Sequence, residues 1–378
     1  MISALIYNNL IISWMVLVTL AVFLVSILIQ FGFHTYLNLK IRKQACKSDE
    51  VDKTNLPVSI IIAARNEENN LKTNLPKILQ QNYPDFEVIV VNDCSEDNTL
   101  EIAESFKKIH SNFKVINLIN HVGKKQALTV GIRESKYEHL LFIDADCYPS
   151  SDMWISSMVS KFSTQKEIIV GYGAYESTGG FINGFINYDT YLIALQYMVS
   201  IVFGKPYMCV GRNLAYTKSV WLKNDGFESH KEILSGDDDL FISQVANDNN
   251  TTICLSPESF TISTPAKSVI AYVKQKSRHI STSSKYTFFA KVFTSIDVIS
   301  KTFIFLSAFI LLFTPFWSTI VTILTLRLLY LYFVGTNSRK LFNTKIAFHY
   351  FILFDIFALV FYLMVIVANR FIYKIKTW

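Results

Sequence analysis

Asp144 and Asp146 stand one residue apart, directly after the apolar run LLFI. Alternate residues at the end of a strand can aim both carboxylates into one space if the chain bends there. Two carboxylates together with diphosphate oxygens make an all-oxygen set that suits Mg²⁺ or Mn²⁺. A D-x-D triplet alone is a weak signal, but Asp93 closes a second apolar run, EVIVV, and Arg65-Asn66-Glu67 follows a third, SIIIAA. Ser95, Asp97 and Asn98 come just after Asp93, and such residues commonly cap helices. Asp97 or Ser95 is therefore expected to cap, with Asp93 left to contact a ligand. A third acidic stretch, Asp237-Asp238-Asp239, reads on its own as a solvated turn and helix start.

The elements that must carry these residues are legible. VSIIIAA (58–64), FEVIVVN (86–92), FKVINLI (113–119) and HLLFIDA (139–145) read as strands buried on both faces. Helical patterns fill 67–81, 97–110 and 123–135 between them. Strand and helix alternating in this way predict an α/β fold with a mostly parallel sheet and right-handed crossovers. In such sheets ligands bind beyond the carboxyl ends of the strands, where the polar clusters lie. There is no G-x-G-x-x-G, and Gly123-Lys124-Lys125 lacks the other residues of a phosphate-binding Walker loop, so dinucleotide and P-loop readings lose their support.

The flanks are apolar. Hydrophobic residues make up 51% of the 378, and charged ones only 17%. Soluble domains carry about 25% charged residues. With a mean hydropathy of +0.30, the chain is no disordered segment, coiled coil or free-standing soluble enzyme. Leu10 to Phe33 holds no charge and is long enough to span a bilayer. Lys40, Arg42, Lys43, Lys47 and Lys53 follow it and none precedes it, which predicts an outside N-terminus and a cytoplasmic middle. Three spans are expected at the other end, near 293–313, 316–336 and 349–369, with two as the alternative. The first carries Asp297 and Lys301, the last Asp355, and Pro315 offers the break between the first two. Lysines and arginines in the following loop and in the tail, Lys374 and Lys376 among them, are too evenly divided to settle the topology. Phe181 to Gly204, with Asn183, Asn187, Asp189 and Gln196 inside it, reads as a long buried or membrane-skimming helix. Residues 267–286 read as an interfacial helix with cations on one side. The net charge of +6 is too small and scattered for nucleic acid; it suits an anionic membrane surface or a phosphorylated substrate. Cys46, Cys94, Cys147, Cys209 and Cys254 form no C-x-x-C pair, and His121, His139, His230 and His349 show no ligand spacing.

The order SIIIAARNEENNL, VVNDCSEDNT, GKKQAL, FIDADC, VGRNLAYTKSVWLKNDGF, GDDDLF and QKSRH resembles the family 2 glycosyltransferases of GT-A fold, in their membrane-anchored bacterial form. The resemblance covers about residues 57–280. It implies that Ala64, Arg65, Asn66 and Glu67 line the nucleotide pocket, that Asp93 binds the nucleoside, and that Lys124, Arg212 and Asn213 belong to the nucleotide-sugar site. Asp144 and Asp146 would hold the metal, Mg²⁺ or Mn²⁺, and Asp237, with Asp238 as the adjacent candidate, would be the base. Gly236 departs from the family's E-D-x-x-L by standing where the glutamate would. Gln275 and Arg278 match Q-x-x-R-W, with His279 in place of the tryptophan that stacks on the acceptor in polymer-making members. An inverting transfer needs one carboxylate within reach of the acceptor hydroxyl, and Arg278 could steady the departing diphosphate.

The expected organisation is an anchor (1–39), a basic linker (40–56), a GT-A domain (57–266), an interfacial helix (267–292) and a transmembrane region (293–378). The expected activity is inverting, non-processive transfer of a sugar from a nucleotide diphosphate, a UDP-sugar in first place, to a lipid-linked acceptor at the cytoplasmic face of a bacterial inner membrane. The rivals are a processive polysaccharide synthase and a sugar-nucleotide-binding membrane scaffold without catalysis.

Overall fold

The computed structural model describes residues 2–46, 55–233, 236–280 and 282–372, with side chains described from residue 13 to residue 371. Lys47 and Lys53 of the basic linker, Ser235 of the acidic stretch, and Lys374 and Lys376 of the tail lie outside the described residues.

A single long helix, α1 (Ile2–Ala45), leads to β1 (Val58–Ala64), α2 (Glu68–Leu79), β2 (Phe86–Asn92), α3 (Thr99–Lys107), β3 (Phe113–Asn117), α4 (Lys124–Glu134) and β4 (His139–Phe142). The apolar runs form strands because both of their faces are covered; every residue of β1 is buried. The four strands are parallel in the order β3-β2-β1-β4. Ala64 pairs with Asn92 and Asn92 with Asn117, so three strand ends finish side by side at one edge. Then come β5 (Cys147–Pro149), α5 (Trp154–Val159), β6 (Ile168–Val170), β7 (Gly173–Tyr175), α6 (Phe181–Val202), β8 (Leu214–Thr217), α7 (Lys218–Lys223), α8 (Asp239–Val245), β9 (Thr251–Ile253) and β10 (Thr261–Ser263). β8 joins the sheet antiparallel to β4, and β6 and β9 extend it to seven strands. A small sheet, β5-β10-β7, closes one side of the cleft. This is the mixed, mostly parallel α/β architecture of the GT-A fold.

α9 (Val269–Ile280) is followed by α10 (Phe288–Leu311), α11 (Trp317–Val334), α12 (Thr336–Leu341) and α13 (Phe348–Val367). The chain turns between α10 and α11 where Pro315 stands. Four helical stretches are long and apolar enough to cross a membrane: Ser13–Ala45, Phe288–Leu311, Trp317–Leu341 and Phe348–Phe371. α6 is a buried helix, as its polar residues led one to expect.

The charges that looked misplaced in apolar segments find one another. Asp355 takes Arg327 at 2.6 Å and Lys301 at 3.0 Å. Asp297 takes His34 at 2.7 Å and Lys301 at 3.5 Å. Gln30 accepts from Arg327 Nε at 2.6 Å and donates to Asp297 at 3.2 Å. All but His34 are less than a tenth exposed. Two acids and two bases from α10, α11 and α13 thus neutralise each other around α1, as burial away from water requires.

Candidate active site

Asp144 lies just past β4, and its Oδ1 meets Lys124 Nζ at 2.9 Å. Lys124 opens α4, and the same ammonium meets Asp237 Oδ2 at 2.9 Å. One cation therefore joins the D-x-D triplet to the acidic stretch across a small cavity that Gly211, Tyr216 and Leu128 also line. Burial alone would push the Lys124 ammonium towards neutrality, but Asp144, Asp237 and Asp238 outweigh it and hold its pKa well above the ordinary value. Burial raises Asp144 too; there Lys124, Arg212 and Arg278 win and hold its carboxyl below the usual range. Asp146 goes the other way, pushed up by burial and by the charge of Asp144.

Oxygens of Asp144 and Asp146 and Cys147 Sγ lie within 4.8 Å of one another, the geometry of a possible cation site. The thiol is a poor ligand there. Burial and the two aspartates push it well above its ordinary pKa, and it sits 2.8 Å from Ser263 Oγ and 3.2 Å from Asp146 Oδ1. The two carboxylates remain, a hard-oxygen pair whose mutual repulsion a divalent cation would relieve; the residues present fit Mg²⁺ or Mn²⁺.

The three consecutive aspartates divide the work. Asp237 faces Lys124. Asp238 accepts from Gly211 N and Asp239 N, both at 2.7 Å, and so starts α8. Burial, with Asp237 and Asp239 alongside, raises its pKa to about 7. Asp239 turns away and accepts from Thr282 Oγ1 at 2.5 Å and Tyr286 OH at 2.8 Å. Gly236 has φ +98°, and a Cβ there would lie 2.6 Å from Leu240 Cδ1. A glutamate cannot sit in this turn without strain, which accounts for the missing acid.

α9 forms the opposite wall. Gln275 Nε2 donates to Tyr175 OH at 2.8 Å, and Arg278 lies in the field of Asp144. The Tyr175 ring stacks under the Arg212 guanidinium, 4.3 Å from its carbon, while Arg212 donates to Gly173 O at 2.5 Å. His279 is exposed at the surface of α9, with neighbouring protein atoms crowding its ring. Burial and the cations Lys276, Arg278, Arg212 and Lys124 push its pKa down to about 3, so the imidazole is neutral.

At the first strand edge the outcome is mixed. Arg65 Nη1 approaches His121 Nε2 at 2.8 Å, and Asn66 is held at φ +56° with its N–H on Ser95 Oγ. Glu67 is pushed up to about 7 by burial, against the hydrogen bond from Asn70, with Asp146 and Asp144 adding to the rise. Asp97 accepts from the N–H groups of both Thr99 and Glu68 and so ties the starts of α2 and α3 together, although the cap positions themselves are Glu67 and Asn98.

Three expectations need correction. Asp93 is not left to contact a ligand: it is fully buried, accepting from Val122 N at 2.8 Å and Gly123 N at 3.0 Å and pairing with His121 Nδ1 at 2.7 Å. Its carboxylate shapes the loop that leads into Lys124. Asn213 is fully buried too; it donates to Tyr172 O and Ser259 O and accepts from Trp154 Nε1, which leaves it no atom for a nucleotide. Ala64 is buried, with its carbonyl taken by Asp93 N. The residues that sequence reasoning missed are Tyr175, which lies in no motif, and His121, which had only its place before Gly123-Lys124 to recommend it.

The Glycosyl transferase family 2 model matches residues 59–220, and the Glycosyl transferase family group 2 model matches 141–373, more than half of the chain. The poly-β-1,6-N-acetyl-D-glucosamine synthase of Staphylococcus epidermidis is 39% identical over 95 residues, which cover 25% of this chain and 23% of that one. The glycosyltransferase AglE of Haloferax volcanii is 34% identical over 116 residues, covering 30% and 38%. The chain thus spans about a quarter to two fifths of the length of these curated relatives. Among solved structures, the mannosyltransferase PcManGT from Pyrobaculum calidifontis, in complex with GDP-Man and Mn²⁺, superposes with a TM-score of 0.63 at 15% identity, over 93% of this chain and 98% of that one. That likeness is one of fold.

Proposed function

Because the chain belongs to the glycosyl transferase family group 2, we propose that it transfers, with inversion, one sugar from a nucleotide diphosphate to a lipid-linked acceptor at the inner face of a bacterial cytoplasmic membrane. The observation that carries this reading is the Lys124 ammonium at 2.9 Å from both Asp144 and Asp237. It puts a diphosphate-binding pole and a proton-accepting pole in one cleft.

In this reading Asp144 and Asp146 would hold Mg²⁺ or Mn²⁺, which when bound would supply positive charge to the leaving diphosphate. Lys124, Arg212 and Arg278 supply fixed positive charge around the same phosphates. Arg65, Asn66 and Glu67 border the nucleoside, with a UDP-sugar the favoured donor. Asp93 and Asn213 keep the site's shape without touching the ligand. Asp237, which faces the Lys124 ammonium across the cleft, takes the proton of the acceptor hydroxyl at Oδ1 or Oδ2. Asp238 is occupied by two backbone N–H groups and is the poorer base. The division into anchor, linker, catalytic domain 57–266, interfacial helix and membrane region belongs to this reading. Four apolar helices on one catalytic domain support a lipid acceptor, since a soluble acceptor needs no anchor.

The synthase named among the relatives supports a second reading, processive polymer formation. The neutral His279 in place of a tryptophan speaks against it, because imidazole offers less stacking area. Purified protein incubated with a panel of nucleotide sugars and membrane lipid extract decides. One donor should give a lipid product heavier by a single sugar, lost on chelation. Donor binding without turnover would leave the scaffold reading, and a long ladder of products the synthase.

A further inference from the structure

By length and hydropathy α13 is as good a crossing helix as α1. Its packing points elsewhere. α1 serves as a depth gauge: Phe33 and Leu37 join the core of the catalytic domain, Gln30 meets Arg327, and Phe23 and Ile27 form the far cluster with Ile304, Ala308, Leu311 and Ile320. α13 enters at the middle level, where Asp355 meets Arg327. A helix continuing outward from there would run another ~18 Å to Val367 and join the far cluster. Among the described residues none of α13 does so.

Its distal half returns to the catalytic side instead. Phe361 stacks on Tyr272 of α9 with ring centres 5.1 Å apart, and Val365 O accepts from Ser277 Oγ of α9 at 3.5 Å. Tyr362 OH donates to Asp189 of α6 at 2.5 Å. The same carboxylate accepts from Tyr272 OH at 2.6 Å and pairs with Lys276 Nζ at 2.7 Å. One residue before Lys276, Gln275 is bonded to Tyr175 of the cleft. Carrying α13 across the bilayer would take α9, with Lys274, Lys276 and Arg278, into hydrocarbon beside it, which charged side chains resist. The other face of α13 exposes Leu353, Ile356, Val360, Leu363 and Val367, all about half accessible and spaced three and four residues apart as one stripe. α10 and α11 also expose apolar side chains, Phe309 and Val321 among them, while α9, which packs on α13, exposes Ile270 and is preceded by the exposed Lys267, an interfacial pairing of apolar and cationic groups.

We propose that α13 does not cross the membrane. It is pinned through Asp189 to α6 and α9 and lies in the leaflet next to the catalytic domain, with its stripe against acyl chains beside the mouth of the cleft. α1, α10 and α11 are then the crossing helices, and the residue after α13 returns to the catalytic side.

Sidedness tests this without any donor or acceptor, so its failure is separate from failure of the functional reading. In a Cys46→Ser, Cys94→Ser background, Arg370→Cys is probed with a membrane-impermeant maleimide in sealed vesicles of the full chain. References are a variant keeping only Cys46 on the catalytic side and Phe313→Cys in the turn between α10 and α11. Arg370→Cys should label together with Cys46 and opposite to Phe313→Cys; labelling together with Phe313→Cys overturns the proposal. Should the cysteine be shielded on both sides, fluorescent-protein and alkaline-phosphatase fusions to the C-terminus decide. Fluorescence supports the proposal if the catalytic domain is cytoplasmic, and phosphatase activity overturns it. Val360→Cys should form no disulfide between copies; efficient cross-linking would mean that a second copy, not lipid, covers the stripe.

Discussion

Two clusters of buried charge sit in this protein, one in the cleft and one among the apolar helices, and they differ in how they balance. Among the helices, Asp297 and Asp355 are matched by Lys301 and Arg327, with Gln30 and His34 filling the remaining hydrogen bonds. Each acid has a base, and all of these groups but His34 are buried. In the cleft, Asp144, Asp146, Asp237, Asp238 and Glu67 face Lys124, Arg212 and Arg278. Acids are in excess there, and burial raises Asp146, Asp238 and Glu67 above their usual range. A closed, neutral set holds helices together. A set with surplus negative charge, open to water, awaits a cation. The presence of buried ionisable groups is common to both; the unsatisfied remainder marks the ligand site.

The sharpest way to break this contrast is at Asp237. Asp237→Asn should lower kcat by about 10²–10⁴-fold, as expected for loss of a general base, with Asp238→Asn much milder in a steady-state assay of donor turnover. The opposite pattern would move the base by one residue. In the membrane cluster the expected loss is of stability rather than rate. Asp355→Ala leaves Arg327 and Lys301 short of a partner and should destabilise the detergent-solubilised protein by ~3–5 kcal/mol, read as an earlier thermal unfolding. The double variant Arg327→Met, Asp355→Leu should recover most of that. If the double variant is as unstable as the single, charge pairing is not what holds these helices.

A smaller effect concerns metal. Asp144→Asn or Asp146→Asn should abolish the difference in donor affinity between Mn²⁺ and chelator, measured by calorimetry, because these two carboxylates lie close enough together, with Cys147, to hold one ion. The smallest is a pH effect at Glu67. With a folded pKa of about 7, its carboxyl is neutral at pH 6 and charged at pH 8, which adds negative charge beside Asp144 and Asp146. Mn²⁺ affinity should therefore rise a few-fold over that interval, and Glu67→Gln should flatten the rise. An unchanged slope in the variant would assign it to another group, Asp238 first.

Much of this was legible in the residues. β1 to β4 announced themselves because each is an apolar run buried on both faces, and the polar residues at their ends fell where the parallel sheet required. The three-residue strands β5, β6, β7, β9 and β10 are too short to show a period and exist only through pairing with distant partners. Asp144, Lys124 and Asp237 could be named, but their sharing of one ammonium could not. Asn213 sits in as promising a stretch as Arg212, yet one is spent on two carbonyls and an indole while the other stacks in the cleft; sequence does not record where an amide's bonds are used. Asp297 and Lys301 looked like flaws in a membrane span because partners such as His34 and Gln30 for Asp297, and Asp355 for Lys301, lie on other helices.

The central claim is that the two ends of the Lys124 bridge have separate duties. Titrating UDP into Asp237→Asn and Asp144→Asn proteins in the presence of Mn²⁺ tests it most directly. Asp237→Asn should bind UDP within a few-fold of the unaltered protein while failing to turn over donor, and Asp144→Asn should lose the Mn²⁺-dependent part of binding. Loss of UDP binding in Asp237→Asn, or its full retention in Asp144→Asn, would contradict the account.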